Sequence, residues 1–166
     1  MKIGIVSDSH GGTRYLDAML KMPGAEEAEC WLHAGDFTDD ADYLERVSRK
    51  KVYKVAGNGD WPSSKVPNDI LVELAGHRIF LTHGHIFGVR YTTGILVSHA
   101  LDQGADIAVY GHTHVADLTT DLQGIMVLNP GSVARPRDHN NGSFILMELQ
   151  PQEVPRVELY RMPDID

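Results

Sequence analysis

The chain predicts an α/β protein in which two packed β-sheets carry helices on their outer faces. Three observations lead there. As far as Tyr110, short apolar, β-branched runs alternate with helix-like stretches, a βαβα order that calls for parallel strands covered by helices. Beyond Tyr110 the chain reads as strand after strand, which calls for antiparallel pairing. A hydrophobic content of 42% over 166 residues suffices for one substantial core, so residues 1–166 are read as a single domain.

The elements follow from periodicity. Lys2–Val6 (KIGIV) is a strand that starts almost at the first residue. Thr13–Lys21 has helical spacing, with Leu16, Met19 and Leu20 on one side. Cys30–Ala34 is a second strand, Ala41–Ser48 a second helix and Lys51–Ala56 a third strand. Ile70–Leu74 and His77–Thr82 form a hairpin closed by Ala75-Gly76. Thr92–Gln103 is a helix and Ile107–Tyr110 a strand. The strands Val115–Thr120, Ile125–Leu128, Ser143–Leu149 and Val157–Arg161 complete the chain.

Composition narrows the function. A formal charge of −8 argues against a general nucleic-acid binder, which needs a basic face, although bound divalent cations would offset carboxylates locally. The single cysteine, Cys30, excludes an intramolecular disulfide framework and a thiolate-rich zinc site. The opening MKIGIVSDSHGG has too short an apolar run for a secretion signal or a membrane span. A cytoplasmic protein without a membrane partner is therefore expected. The oligomeric state stays open, a homo-oligomer included.

The chemistry-bearing residues sit at strand ends. Lys2–Val6 runs into SDSHGG, with Asp8 and His10, and Cys30–Ala34 into GDFTDD, with Asp36. Lys51–Ala56 runs into GNGD, with Asn58 and Asp60. His77–Thr82 ends in HGH, with His83 and His85, and Ile107–Tyr110 in GHTH, with His112 and His114. In an extended segment side chains two apart point to the same side, so the last pair would present both imidazoles together. Each piece alone is weak, because Asp-Gly and Gly-Asn are also ordinary turn dipeptides. Their shared position at the carboxyl ends of strands, where open α/β sheets bind ligands, makes the set informative. Carboxylates, an amide oxygen and imidazoles without thiolate suit manganese, iron, nickel, cobalt or zinc and not an all-oxygen calcium cage. Seven ligands exceed one tetrahedral ion, whereas two ions sharing a carboxylate would use them all. Such a pair clamps phosphoryl oxygens in phosphatases and nucleases.

The ordered set D-x-H, G-D, G-N-x-D, H-G-H and G-H-T-H, from Asp8 to His114, together with NPGS at Asn129–Ser132, resembles the calcineurin-like metallophosphoesterases, in particular their small bacterial and archaeal phosphodiesterase branch. The resemblance implies a four-layer αββα sandwich of two mixed β-sheets flanked by helices. It also implies two divalent ions, manganese first among them, and a small phosphoester substrate. By position, Asp8, His10 and His114 would hold the first ion, Asp36 would bridge, and Asn58, His83 and His112 would hold the second. The implied reaction is in-line attack by a hydroxide bridging the two ions, most plainly on a small diester.

Around that set the readings are looser. Asp60 and His85 join Asp36 and Asn58 as catalytic candidates. Asn58, His85 and Arg135 are candidate phosphate contacts, with simple hydrogen bonding the alternative for His85 and an exposed loop side chain the alternative for Arg135. His33 is read as packed or as orienting Asp36, Trp61 as pocket wall or rim, and His77, His99 and His139 as ordinary residues. A protein-interaction scaffold on the same fold is the competing function; a scaffold is free to lose ligands, and here every position is filled.

Overall fold

The computed structural model describes residues 1–61 and 65–165. Its strands are β1 (Lys2–Val6), β2 (Cys30–His33), β3 (Lys51–Lys54), β4 (Asp69–Leu74), β5 (His77–Thr82), β6 (Ile107–Val109), β7 (Ala116–Thr120), β8 (Met126–Pro130), β9 (Ser143–Glu148) and β10 (Arg156–Arg161). Three α-helices, α1 (Thr13–Leu20), α2 (Thr38–Ser48) and α3 (Gly94–Asp102), accompany them, with single 3-10 turns at Ala25–Glu27 and His85–Phe87.

The strands form two five-stranded mixed sheets, ordered β10-β9-β1-β2-β3 and β4-β5-β6-β8-β7. In the first, β1, β2 and β3 are parallel neighbours, and β9 and β10 add antiparallel. In the second, β5, β6 and β8 run parallel between antiparallel β4 and β7. The αββα sandwich is the architecture expected from the sequence.

Strand alternation explains the layers. Ile3, Ile5, Cys30 and Leu32 of the first sheet meet Ile79, Leu81, Ile107 and Val109 of the second in a central core. The intervening residues face outwards. Trp31 packs with Leu16, Met19 and Leu44 of α1 and α2, while Phe80 and Ala108 pack with Leu96, Val97 and Ala100 of α3. Each fully buried leucine contributes roughly 1.5–3 kcal/mol of transfer free energy, so three such layers dominate the drive to fold.

α2 begins at Thr38, earlier than the Ala41 expected, for a reason remote in sequence. Phe37, at the cap position, offers no side-chain hydrogen bond; Asp60 Oδ1 instead accepts the Thr38 N–H at 2.8 Å. Asp60 thus supplies the capping acceptor from the far side of β3.

His77, read as an ordinary residue, pins the two sheets at the end away from the ligand-bearing strand ends. Its Nδ1 donates to Asp106 Oδ2 at 2.6 Å and its Nε2 to the Gln150 carbonyl at 2.8 Å. Both partners are acceptors, so the ring satisfies them only as the imidazolium. Burial alone pushes the His77 pKa down, but the Asp106 bond together with the Gln150 carbonyl outweighs it and the net shift is upwards. A raised folded-state pKa contributes stability that is complete below the ordinary histidine value and is lost as pH rises through the folded value. His77→Gln is therefore expected to cost about 1 kcal/mol below pH 6, a modest figure because Asp106 is half exposed and solvent screens it. The cost should shrink at pH 9. Denaturant titrations at the two pH values test this; equal losses would mean that His77 acts by packing alone.

Candidate metal centre

The strand-end residues converge. β1, β2 and β3 bring Asp8, His10, Asp36 and Asn58 to one edge of the first sheet; β5 and β6 bring His83, His112 and His114 to the facing edge of the second. Close approach depends on glycine. A Cβ on Gly57 would overlap Asp36 Oδ1 and lie 2.8 Å from the Asp36 backbone nitrogen. A Cβ on Gly111 would overlap Ser7 Oγ and lie 2.6 Å from Asp8 Oδ2.

The local backbone differs from the extended one expected at GHTH. His112 and His114 have φ of 69° and 61°, and Asp8, His10 and Asp36 have 55°, 48° and 46°. Left-handed non-glycine residues of this kind are costly and gather at functional sites. The consequence at GHTH is that the two imidazoles do not share one set of neighbours.

Around His114, Asp8 Oδ1 lies 3.1 Å from His114 Nε2 and 3.7 Å from His10 Nε2, and the two ring nitrogens are 3.1 Å apart. Around His112, Asn58 Oδ1 lies 3.0 Å from both His112 Nδ1 and His83 Nε2. Asp36 Oδ2 faces both groups, 3.5 Å from His83 Nε2 and 3.8 Å from His10 Nε2. Two overlapping sets, Asp8–His10–His114 and Asp8–Asp36–His83, each place their candidate ligand atoms within 4.8 Å of one another.

The environment suits a cation. Asp8 Oδ1 is buried and has no hydrogen-bond partner, which for a carboxylate costs free energy unless something positive meets it. Burial pushes the Asp8 pKa up, but the adjacent His10 and His114 ring nitrogens, the His83 charge and the hydrogen bond from Ser7 Oγ together hold it well below the usual carboxylate range. Burial likewise opposes, and the His83 bond and charge with the Gly59 N–H outweigh, at Asp36, whose pKa is also lowered. Burial and the neighbouring His83 and Arg90 charges push His112 down to about 4, leaving a neutral imidazole. His83 Nδ1 donates to the Ala34 carbonyl at 2.7 Å and His114 Nδ1 to the Arg135 carbonyl at 2.7 Å, so each Nε2 is the nitrogen turned to the carboxylates, where a bound ion would take the place of its proton. Charged oxygens, an amide oxygen and oriented imidazoles fit borderline first-row divalent ions.

Neighbouring residues sort differently. Asp60 Oδ2 accepts the Gly57 N–H at 2.8 Å, so with Thr38 on Oδ1 both oxygens brace backbone. His33 Nδ1 accepts from the Gly35 N–H and its Nε2 donates to Ser9 Oγ; it steadies the chain on both sides of the site and does not touch the Asp36 carboxylate. His85 is half buried, its Nδ1 without a partner, with its ring 5.4 Å from that of His83. Arg135 is exposed and contributes its carbonyl to His114. Trp61 is 82% exposed and lines a cleft of about 340 Å³ together with Asn58, Asp60, Asn68 and His85. The NPGS motif has a visible job. Asn129 Nδ2 donates to the Gly111 carbonyl and to Thr113 Oγ1, and Ser132 Oγ donates to the Asp8 carbonyl.

Two mixed sheets with a cation-ready cluster on their shared carboxyl edge define a metallophosphoesterase-type sandwich. The chain belongs to the calcineurin-like phosphoesterase superfamily, whose domain profile matches residues 1–152. It is 30% identical to the Bacillus subtilis (strain 168) protein described as probable metallophosphoesterase YsnB, over 90% of this chain and 85% of that one. Phosphodiesterase YfcE of Escherichia coli (strain K12) is also 30% identical, over 89% of this chain and 88% of its own. A solved structure of a predicted phosphoesterase from Streptococcus pneumoniae TIGR4 matches with a TM-score of 0.81 at 26% identity, over 96% of this chain and 88% of that one. Among the described residues, no helix is long and apolar enough to cross a membrane.

Proposed function

We propose that the chain hydrolyses a small phosphodiester with two divalent ions, manganese first among them, held between its two sheets. Asp8, His10 and His114 would hold one ion and Asn58, His83 and His112 the other, with Asp36 shared between them. The carrying observation is the buried carboxylate oxygen Asp8 Oδ1, without a hydrogen-bond partner, on which the Nε2 atoms of His10, His83 and His114 converge at 3.7, 3.8 and 3.1 Å. Divalent ions bound there supply charge stabilisation at the phosphoryl oxygens and lower the pKa of water.

The chain's own residues do the rest. The Gly59 N–H holds Asp36 Oδ1 at 2.8 Å, so the other oxygen stays turned to the imidazoles. Asp60 positions the Asn58 loop against α2. His85, a neutral half-buried imidazole with a spare nitrogen, contacts the bound phosphate or its ester arm. The cleft lined by Trp61 and Asn68 receives that arm.

Position 59 sets the preference for diesters. Much of the family has a histidine there that can donate a proton or hydrogen bond; this chain has none, and a positioned general acid is worth about 10²–10⁴ in rate. Its loss penalises poor leaving groups and removes a potential cation that a dianionic monoester needs more than a monoanionic diester. The expected result is a kcat/KM for a bis-aryl phosphate at least about tenfold above that for the matching mono-aryl phosphate, falling in Gly59→His. A Cβ at position 59 would lie 3.2 Å from Asp36 Cγ and Oδ1, so Gly59→Ala is the control for crowding and should leave the ratio unchanged. A wild type that prefers the monoester would overturn the diester reading. Metal-loaded protein inert towards every phosphoester would select the protein-interaction alternative.

A further inference from the structure

We propose that Arg90 is the side chain that grips the non-bridging oxygens of the bound phosphate, a role that rests on the phosphoesterase reading above. Arg90 lies on the exposed segment between the His85–Phe87 turn and α3. Its Nε donates to His112 Nε2 at 3.0 Å. Among the described residues it is the one lysine or arginine whose side chain is hydrogen-bonded to any of Asp8, His10, Asp36, Asn58, His83, His112 or His114.

The charge balance gives that contact its meaning. The protein carries a formal charge of −8, and its centre holds two ionised carboxylates, so an approaching phosphate anion meets repulsion unless cations receive it. A guanidinium is permanently charged and presents a planar fork of donors that matches two oxygens of a phosphate. In Arg90 only Nε is engaged; Nη1 and Nη2 have no protein partner among the described residues. The contact with His112 shows that the Arg90 guanidinium reaches the edge of the centre with its outer N–H groups unspent. The arrangement also responds to metal. His112 Nδ1 is the nitrogen turned towards Asn58 Oδ1, and with that nitrogen ligated the ring proton resides on Nε2. Two donors then face each other, and the Arg90 Nε is released to the substrate as well. Arg135, the arginine suggested by its position after NPGS, serves the site through its carbonyl instead.

The test compares wild type, Arg90→Gln and Arg90→Lys, each loaded with manganese. Calorimetry measures manganese affinity and then the affinity of inorganic phosphate, alongside KM for a bis-aryl phosphate. In Arg90→Gln, phosphate affinity should weaken and KM should rise by about tenfold to a hundredfold, the scale of charged hydrogen bonds. Manganese affinity should stay within about twofold or tighten, because a cation has been removed beside a ligand, on the scale of a screened surface charge. Arg90→Lys, which keeps the charge without the fork, should recover part of the loss. Unchanged phosphate affinity in Arg90→Gln would overturn the assignment while leaving the phosphoesterase reading intact. So would a fall in manganese affinity matching the fall in phosphate affinity, since Arg90 would then only prop His112. Loaded wild type that neither binds phosphate nor cleaves any phosphoester would overturn both.

Discussion

Asp36→Asn is expected to abolish turnover and to weaken metal binding at both positions. The carboxylate is split in its duties: Oδ1 accepts the Gly59 N–H, and Oδ2 faces His83 Nε2 and His10 Nε2 across the two halves of the centre. An asparagine can keep the Gly59 bond with its amide oxygen, which turns its NH₂ group, a donor, towards the imidazoles and the ions. The fold should survive, since the substitution keeps the shape of the side chain and the relief of repulsion with Asp8 offsets part of the lost attraction to His83. Changes to groups that merely orient ligands already cost 10–100-fold in affinity, so loss of the shared carboxylate should cost at least about 10²-fold. Thermal unfolding without metal should be unchanged or slightly lowered, because the attraction of the ionised Asp36 to His83 is lost, whereas the stabilisation that added manganese confers on wild type should vanish. A variant that keeps two tightly bound ions and a near-normal rate would show that Asp36 is not shared.

Gly57→Ala should be nearly as damaging without touching a ligand. The new methyl group would overlap Asp36 Oδ1 and crowd the Asp36 backbone nitrogen and Cγ at 2.8 and 2.9 Å. Backbone cannot rotate away as a side-chain tip can, so the end of β3 must separate from the Asp36 loop. Forced crowding of this kind costs about 1–3 kcal/mol in stability. It should also remove measurable manganese binding, because Asn58 and Asp36 move apart. Gly94→Ala, at the start of α3 with nothing nearer than Thr92 Oγ1 at 3.6 Å, is the matched control and should be neutral. Wild-type metal affinity in Gly57→Ala would mean that the close approach of these two loops is not needed.

The parts that could be read in advance were those written locally. Alternation in Lys2–Val6 and His77–Thr82, the helical spacing of Leu16 and Met19, and the glycine-plus-ligand ending of five strands are all short-range patterns, and each led to the right element. The parts that escaped depend on partners distant along the chain. Thr38 opens α2 because Asp60 caps it from beyond β3, so no capping residue appears at the helix itself. Asp60, grouped with the catalytic candidates, has both oxygens committed to backbone, which the motif G-N-x-D does not reveal. Arg90 looks like any exposed arginine until β5 and β6 bring it to His112. The left-handed backbone at Asp8, His10, Asp36, His112 and His114 was equally invisible, because it is imposed by surrounding structure against the residues' own preference.

The division of the ligands between two sheets has a mechanical consequence. Asp8, His10, Asp36 and Asn58 ride on one sheet and His83, His112 and His114 on the other, with apolar side chains such as Leu32 and Leu81 packed between the strands behind them. The centre therefore works as a caliper on the spacing of the sandwich. Thickening or thinning the central layer, deep below the surface, would open or close the jaws and retune the proposed pair of ions. Trp61 and Arg90, the side chains proposed to meet substrate, are exposed at the surface and take no part in setting that spacing.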